Sequence, residues 1–213
     1  MILNELAEAV KKGSAKKVKL LTNQALEEGC SVEEILNVGL IETMGVVGER
    51  FKRNEIFVPE MLVAARAMSA GVSILEPLMV GAGVKPIGKV VIGTVSCDLH
   101  DIGKNLVAMM MKGIGAIVYD LGVDVPAETF LEKAEEVGAD IVCMSALLTT
   151  TMTAMQDVIR LFETRGVRDK YYFMVGGAPV SQQFADEIGA DAYTSNAGEA
   201  AAVARAYLEA RVR

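Results

Sequence analysis

The sequence predicts a chain of two classes, α followed by α/β: a four-helix bundle over residues 1–88, then a five-stranded parallel sheet with helices on both faces over residues 89–213. Three observations predict this. Up to Pro77, apolar positions recur at three- and four-residue steps. From Lys89 onward, short β-branched runs alternate with helical stretches. Between them, residues 78–88 hold Gly81, Gly83, Pro86 and Gly88 with little periodicity, as a linker does.

Taken in order, Ile2 to Lys11 reads as the first helix. Ser14 caps a second, which runs to Glu28 and is stopped by Gly29. Ser31 with Glu34 forms a capping box that opens a third helix, with Ile35, Leu36, Leu40, Ile41 and Met44 on or near one face. The charged connector from Gly48 to Glu60 also holds Phe51, Phe57 and Val58 as hydrophobic anchors. Pro59 suits the first turn of a fourth helix, whose Met61, Ala65, Met68, Val72 and Leu75 share a face and which Pro77 ends.

Lys89 to Thr94 reads as a buried strand, followed by a helix from Lys104 that ends near Gly113. Ala116 to Asp120, Ile141 to Ser145, Tyr171 to Val175 and Ala192-Tyr193 read as further strands. Helices from Pro126 to Val137, from Thr151 to Arg165, from Ser181 to Ile188 and from about Gly198 separate or follow them. Five strands with short crossovers suggest the flavodoxin-like order 2-1-3-4-5, with its switch point between strands one and three. No internal repeat or low-complexity segment stands out.

Composition narrows the function. With 52% hydrophobic and 23% charged residues, the chain is globular rather than disordered. A net charge of −7 without a Lys/Arg cluster argues against a nucleic-acid surface. No 18-residue apolar run and no basic leader stand out, so the expectation is a cytoplasmic protein without a membrane span. Cys30, Cys97 and Cys143 fit no zinc or CxxC spacing and read as free thiols. Gly176-Gly177 has no P-loop lysine, and no GxGxxG follows strand one, so phosphate-cradling and NAD chemistry are poorly supported.

The only histidine, His100, lies in Asp98-Leu99-His100-Asp101-Ile102-Gly103, after strand one. Ligands of open α/β sheets bind at that end of the strands. A lone histidine is more often a satisfied polar residue than a ligand. Here Asp98 and Asp101 flank it, and a metal-bound imidazole usually gives its other N–H to a carboxylate. Gly103 removes a side chain where the next helix begins.

Asp-x-His-x-x-Gly, then Ser145-Ala146-Leu147 after 41 intervening residues, then Gly176-Gly177 after 28 more, resembles the signature of cobalamin-binding domains. The helical region is similar to the cap of methyl-transferring corrinoid proteins and of cobalamin-dependent methionine synthase. The resemblance covers nearly the whole chain. It implies a helical-bundle cap with linker over 1–88 and a Rossmann-like cobalamin-binding domain over 89–213. It also implies cobalamin or a related corrinoid bound base-off/His-on, with His100 on cobalt and Asp98 as its hydrogen-bond partner. No catalytic residue is implied beyond the cofactor. Cys97, Leu99, Asp101, Ile102 and Gly103 surround the ligand in this reading, and relatives often have glycine at the position of Cys97. Ser145, Leu147, Thr149, Gly176, Gly177 and Ala197 match contacts to the nucleotide tail. Phe51 and Val58 match apolar cap positions, whereas Asn37 stands where methionine synthase has a glutamate.

The activity implied is that of a carrier of one-carbon metabolism. It would move a methyl group on cobalt between a substrate-specific methyltransferase and a second methyltransferase that serves tetrahydrofolate or a thiol such as coenzyme M. A reductive activase is a further implied partner; nucleic acid and membrane are not. Two other cobalamin readings compete. The subunit of an adenosylcobalamin mutase would not carry this cap, and a cobalamin sensor would carry a helix-turn-helix that is missing here. A flavin-binding or receiver-like domain would leave the His100 motif and the bundle unexplained.

Overall fold

The computed structural model describes residues 2–82 and 86–211. They fall into two compact units, residues 1–86 with 112–115 and residues 87–111 with 116–213.

The helical unit begins with α1 (Ile2–Lys11) and α2 (Ala15–Glu27). Ser14 occupies the N-cap position of α2, but its hydroxyl makes no capping bond, contrary to the expected cap. The Ser31–Glu34 box forms in full: Ser31 Oγ accepts the Glu34 N–H at 3.1 Å, and Glu34 accepts the Ser31 N–H at 3.0 Å. It opens α3 (Val32–Glu34), which runs through a π-helical stretch (Ile35–Ile41) into α4 (Glu42–Lys52). Ile35, Leu36, Leu40, Ile41 and Met44 are all buried. The wider π turn keeps two adjacent pairs of apolar residues on the inner side, a shift that an α-helical period does not foresee.

The next helix, α5 (Val58–Ala82), departs from expectation at its end. Pro77 lies inside it and does not stop it. Proline removes one N–H and crowds the preceding turn, yet a helix of 25 residues continues past one missing bond. The linker therefore does not start at residue 78: residues 78–82 are helical, and 83–85 lie outside the described residues. Over Val58–Leu75 this helix is also, by length and composition, long and apolar enough to cross a membrane, contrary to the expectation of no such run. It carries Glu60 and Arg66. Its Met61, Ala64, Ala65, Met68 and Leu75 are buried in the unit.

The second unit is a parallel sheet of β1 (Lys89–Thr94), β2 (Ile117–Asp120), β3 (Ile141–Ser145), β4 (Tyr172–Gly176) and β5 (Ala192–Tyr193), in the order β2-β1-β3-β4-β5. Helices α6 (Ile102–Gly113), α7 (Ala127–Val137), α8 (Met152–Thr164), α9 (Gln182–Ile188) and α10 (Ala197–Arg211) cover both faces. Val91, Val142, Met144 and Phe173 of the strands form one core with Phe130, Val158, Ile159 and Phe162 of α7 and α8. Cys143 is buried in β3, where burial pushes its thiol up to about 12 and keeps it neutral. In register, Thr94 ends β1 beside Ser145, and Ser145 ends β3 beside Gly176. The loops after β1, β3 and β4 thus leave the sheet side by side at its carboxyl edge.

Candidate functional site

The loop after β1, residues 95–101, is tied down almost residue by residue. The Val95 N–H donates to the Ser145 carbonyl (3.0 Å) and the Asp124 N–H to the Asp98 carbonyl (2.9 Å). The Cys97 N–H donates to the Asp124 carboxylate at 2.7 Å. Cys97 sits at φ +64°, a left-handed conformation that suits glycine, so its place beside the motif reflects the turn of the chain. Helix α6 begins at Ile102, two residues before the expected Lys104, so Gly103 lies in its first turn.

The Asp98 side chain is fully buried. Its Oδ1 accepts the His100 backbone N–H (3.1 Å) and faces His100 Nδ1 (2.8 Å). Its Oδ2 accepts the Leu147 N–H at 2.7 Å, the Leu148 N–H at 3.4 Å and the Thr151 hydroxyl at 2.7 Å. Burial by itself would raise its pKa. The bonds from Leu147, Thr151 and both donors of His100 together outweigh burial and hold the carboxyl well below the usual carboxylate range. An ionised carboxylate only accepts, so in the neutral ring of His100 it is Nδ1 that carries the proton, and the lone pair is on Nε2.

The His100 ring is half exposed, and Nε2 has no hydrogen-bond partner among the described residues. Leu99 and Ile102 on either side of it are more than two-thirds exposed, and Leu147 and Leu148, whose N–H groups hold Asp98, are exposed as well. Four exposed apolar side chains on the two loops joined through Asp98, with an unpartnered ring nitrogen between Leu99 and Ile102 in sequence, mark a binding surface. Among the described residues, no group of three His, Cys, Asp or Glu could hold a metal ion. A metal held by His100 must therefore bring most of its ligands with it, as the cobalt of a corrinoid does. A β-carbon added at Gly103 meets nothing within 4 Å, so there is room for a group to approach there. On these three observations the residues fit a corrinoid.

The remaining expected residues are placed as follows. Asp101 precedes α6 and accepts the Asn105 amide at 3.0 Å. Ser145 is half-buried at the end of β3 and Thr149 is exposed in the following turn; neither hydroxyl has a partner among the described residues. Gly176 ends β4. At Gly177, φ is +134° and a β-carbon would lie 1.8 Å from the Ala146 carbonyl oxygen, so this glycine lets the loops after β3 and β4 touch. Ala197 is buried in the first turn of α10, which Asn196 caps by accepting the Glu199 N–H at 2.9 Å. Phe51, half-buried in α4, and Val58, exposed at the start of α5, belong to the helical unit. Hydrogen bonds join Asp98, His100 and Leu147; none joins Thr149 or Ala197 to them.

Three features escaped the sequence reading. Thr151, at the N-cap position of α8, turns its hydroxyl onto Asp98. The only sequence signal was a run of three threonines, of which any one could have turned inward. Leu148 completes the apolar surface. Lys104 is buried, and its ammonium donates to both oxygens of Asp120 at 2.6 Å and to Asn105 at 2.7 Å, pinning the first turn of α6 to the end of β2.

Residues 88–206 match the family described as a B12 binding domain. Residues 2–76 match a second family of the same description. The chain belongs to the B12-binding corrinoid proteins. Among its relatives is dimethylamine corrinoid protein 2 of Methanosarcina acetivorans, 44% identical over 209 residues that cover 97% of this chain and 96% of the relative. Another is corrinoid protein DSY3155 of Desulfitobacterium hafniense, 41% identical over 97% of each chain. The corrinoid fold is also seen in the methanol:cobalamin methyltransferase complex MtaBC from Methanosarcina barkeri, at TM-score 0.88 and 31% identity over 98% of this chain and 80% of that one. A cobalamin-binding protein from Desulfitobacterium hafniense DCB-2 gives TM-score 0.78 at 28% identity over 96% of this chain and 98% of that one.

Proposed function

We propose that this corrinoid protein is a methyl carrier that works between two methyltransferases, with His100 as the residue that would hold the cobalt. The observation that carries the reading is the unpartnered Nε2 of a half-exposed His100, backed by a buried Asp98 on loops that also expose Leu99, Ile102, Leu147 and Leu148. A bound corrinoid supplies a cobalt that takes up and releases a methyl group. The chain's own residues do the rest. Asp98 fixes the tautomer of His100 and raises the basicity of its free nitrogen. Leu147, Leu148 and Thr151 keep Asp98 ionised and immobile. Leu99, Ile102, Leu147 and Leu148 offer apolar contact to the macrocycle. Ser145 and Thr149, whose hydroxyls are unpartnered among the described residues, bind the nucleotide tail along Gly103, Gly176, Gly177 and Ala197.

In this reading residues 89–213 hold the cofactor base-off/His-on, and residues 1–88 cap it through Phe51 and Val58. A substrate-specific methyltransferase loads the carrier, a second one unloads it to a folate or thiol acceptor, and a reductive activase restores it, all in the cytoplasm. The dimethylamine relatives make a methylated amine the first donor class to test. Because the chain has one histidine, the ligand can be assigned without mutation. Protein labelled with nitrogen-15 histidine, loaded with hydroxocobalamin and reduced to Co(II), is expected to show an electron paramagnetic resonance nitrogen splitting that differs from unlabelled protein. An identical splitting would remove His100 from cobalt.

A further inference from the structure

The hydrogen bonds of the His100 loop single out a residue outside the Asp-x-His-x-x-Gly motif. Thr94 is the last residue of β1 and is fully buried. Its backbone is locked on both sides: its N–H donates to the Gly122 carbonyl (3.0 Å), and its carbonyl accepts the Val125 N–H (3.0 Å). Its hydroxyl donates to the backbone carbonyl of His100 at 2.8 Å. The His100 N–H is already held by Asp98 at 3.1 Å, and the ring by the same oxygen at 2.8 Å. The Thr94 hydroxyl is thus the bond that ties the remaining backbone polar group of His100 to the sheet.

We infer that Thr94 is a positioning residue that fixes the backbone of His100, and so sets where Nε2 stands before any cofactor arrives. The inference rests on the proposed ligation by His100 for its consequence, but not for its geometry. A ligand on a free loop must be ordered each time it binds the metal. A ligand clamped at N–H, carbonyl and ring has that ordering built into the fold. A β-strand threonine would ordinarily be read as a strand former with its hydroxyl satisfied wherever convenient. Here the hydroxyl reaches six residues along the chain to the one residue aimed at the ligand. Serine keeps the donor, and valine keeps the shape without it, leaving the His100 carbonyl short of this partner.

The test compares wild type, Thr94→Ser and Thr94→Val as full chains. Without cofactor, the single imidazole gives one set of nitrogen-15 and proton resonances. These are expected to match in wild type and Thr94→Ser, and to shift and broaden in Thr94→Val. After loading with hydroxocobalamin and reduction to Co(II), the ratio of histidine-coordinated to uncoordinated cobalt, read from the nitrogen splitting, is expected to fall about 2–10-fold in Thr94→Val, the weight of one hydrogen bond. Thr94→Ser is expected to restore it. A merely structural role would lower thermal stability in Thr94→Val while leaving both signals as in wild type, and that outcome overturns the proposal. Failure of serine to rescue either signal overturns it too. If wild type itself shows no nitrogen splitting, the ligation reading fails, and the cofactor-free resonances still decide whether Thr94 orders the ring.

Discussion

Asp98 turns donors toward both of its oxygens, and this makes its replacement by asparagine more than a loss of charge. An amide has one accepting and one donating end. If its oxygen faces Leu147 and Thr151, its NH2 group faces the N–H and ring of His100. The ring then has to accept at Nδ1 and carry its proton on Nε2, which removes the free lone pair. Asp98→Asn is therefore expected to weaken ligation of cobalt by about 10–100-fold, as loss of such a partner typically does. The Co(II)/Co(I) midpoint is expected to become less negative. Spectroelectrochemical titration checks this; a midpoint unchanged or more negative would remove the assigned role of Asp98. The same carboxylate bears on stability. Its pKa in the folded chain lies below its ordinary value of 3.8, so it contributes stability above that pH, and the contribution is lost as pH falls below it.

At the scale of elements, two glycines that looked alike in the sequence have different jobs. Both were read as clearing a path for a ligand. Gly177 also lets the loop after β4 approach the Ala146 carbonyl, at a φ that side chains rarely adopt. Gly177→Ala is expected to destabilise the fold by about 3 kcal/mol, from strain and overpacking together. Gly103 is in the first turn of α6, where an added β-carbon touches nothing within 4 Å. Gly103→Ala is expected to leave thermal stability unchanged or raise it by up to about 1 kcal/mol, since alanine is the better helix former. Cobalamin binding should nevertheless weaken by roughly 10-fold or more, the cost of forcing one methyl into a filled contact. Thermal melts and cobalamin titrations of both variants separate the two roles. If Gly103→Ala binds as wild type does, the corrinoid does not pass over that turn.

The molecule as a whole divides between Pro86 and Ile87, save that Lys112–Gly115 at the end of α6 group with the helical unit. Among the described residues, Thr94 and Asp98, which bond His100, and Asp124, Leu147, Leu148 and Thr151, which hold its loop and Asp98, all belong to the second unit. Its first strand is anchored at the opposite edge, where the Lys89 N–H donates to Asp140 at 2.8 Å. A fragment starting at Ile87 is thus expected to fold and bind cobalamin. It lacks Phe51 and Val58, so bound methylcobalamin should photolyse faster than in the full chain. Equal photolysis rates would remove the capping role of the helical unit, and failure of a folded fragment to bind would show that the unit contributes to affinity.

The sequence by itself determined the class, the strand order and the motif. Hydrophobic period separates helix from strand, the right-handed crossover leaves few topologies, and a lone histidine between aspartates is visible without coordinates. Local patterning erred where a local rule was overridden. Pro77 did not end α5, because the rest of a long helix tolerates one missing bond. Ser14 stood at a cap position without capping. The tertiary structure alone decided which groups meet Asp98 and His100. Thr151 lies 53 residues from Asp98 and Leu147 lies 49, while Thr94 reaches His100 from the strand beneath it. Such partners are set by the parallel register of β1 with β3, which brings the ends of two distant strands together. No periodicity in the chain records which hydroxyl of a threonine run turns inward, because that depends on where the carboxylate stands once the sheet has formed.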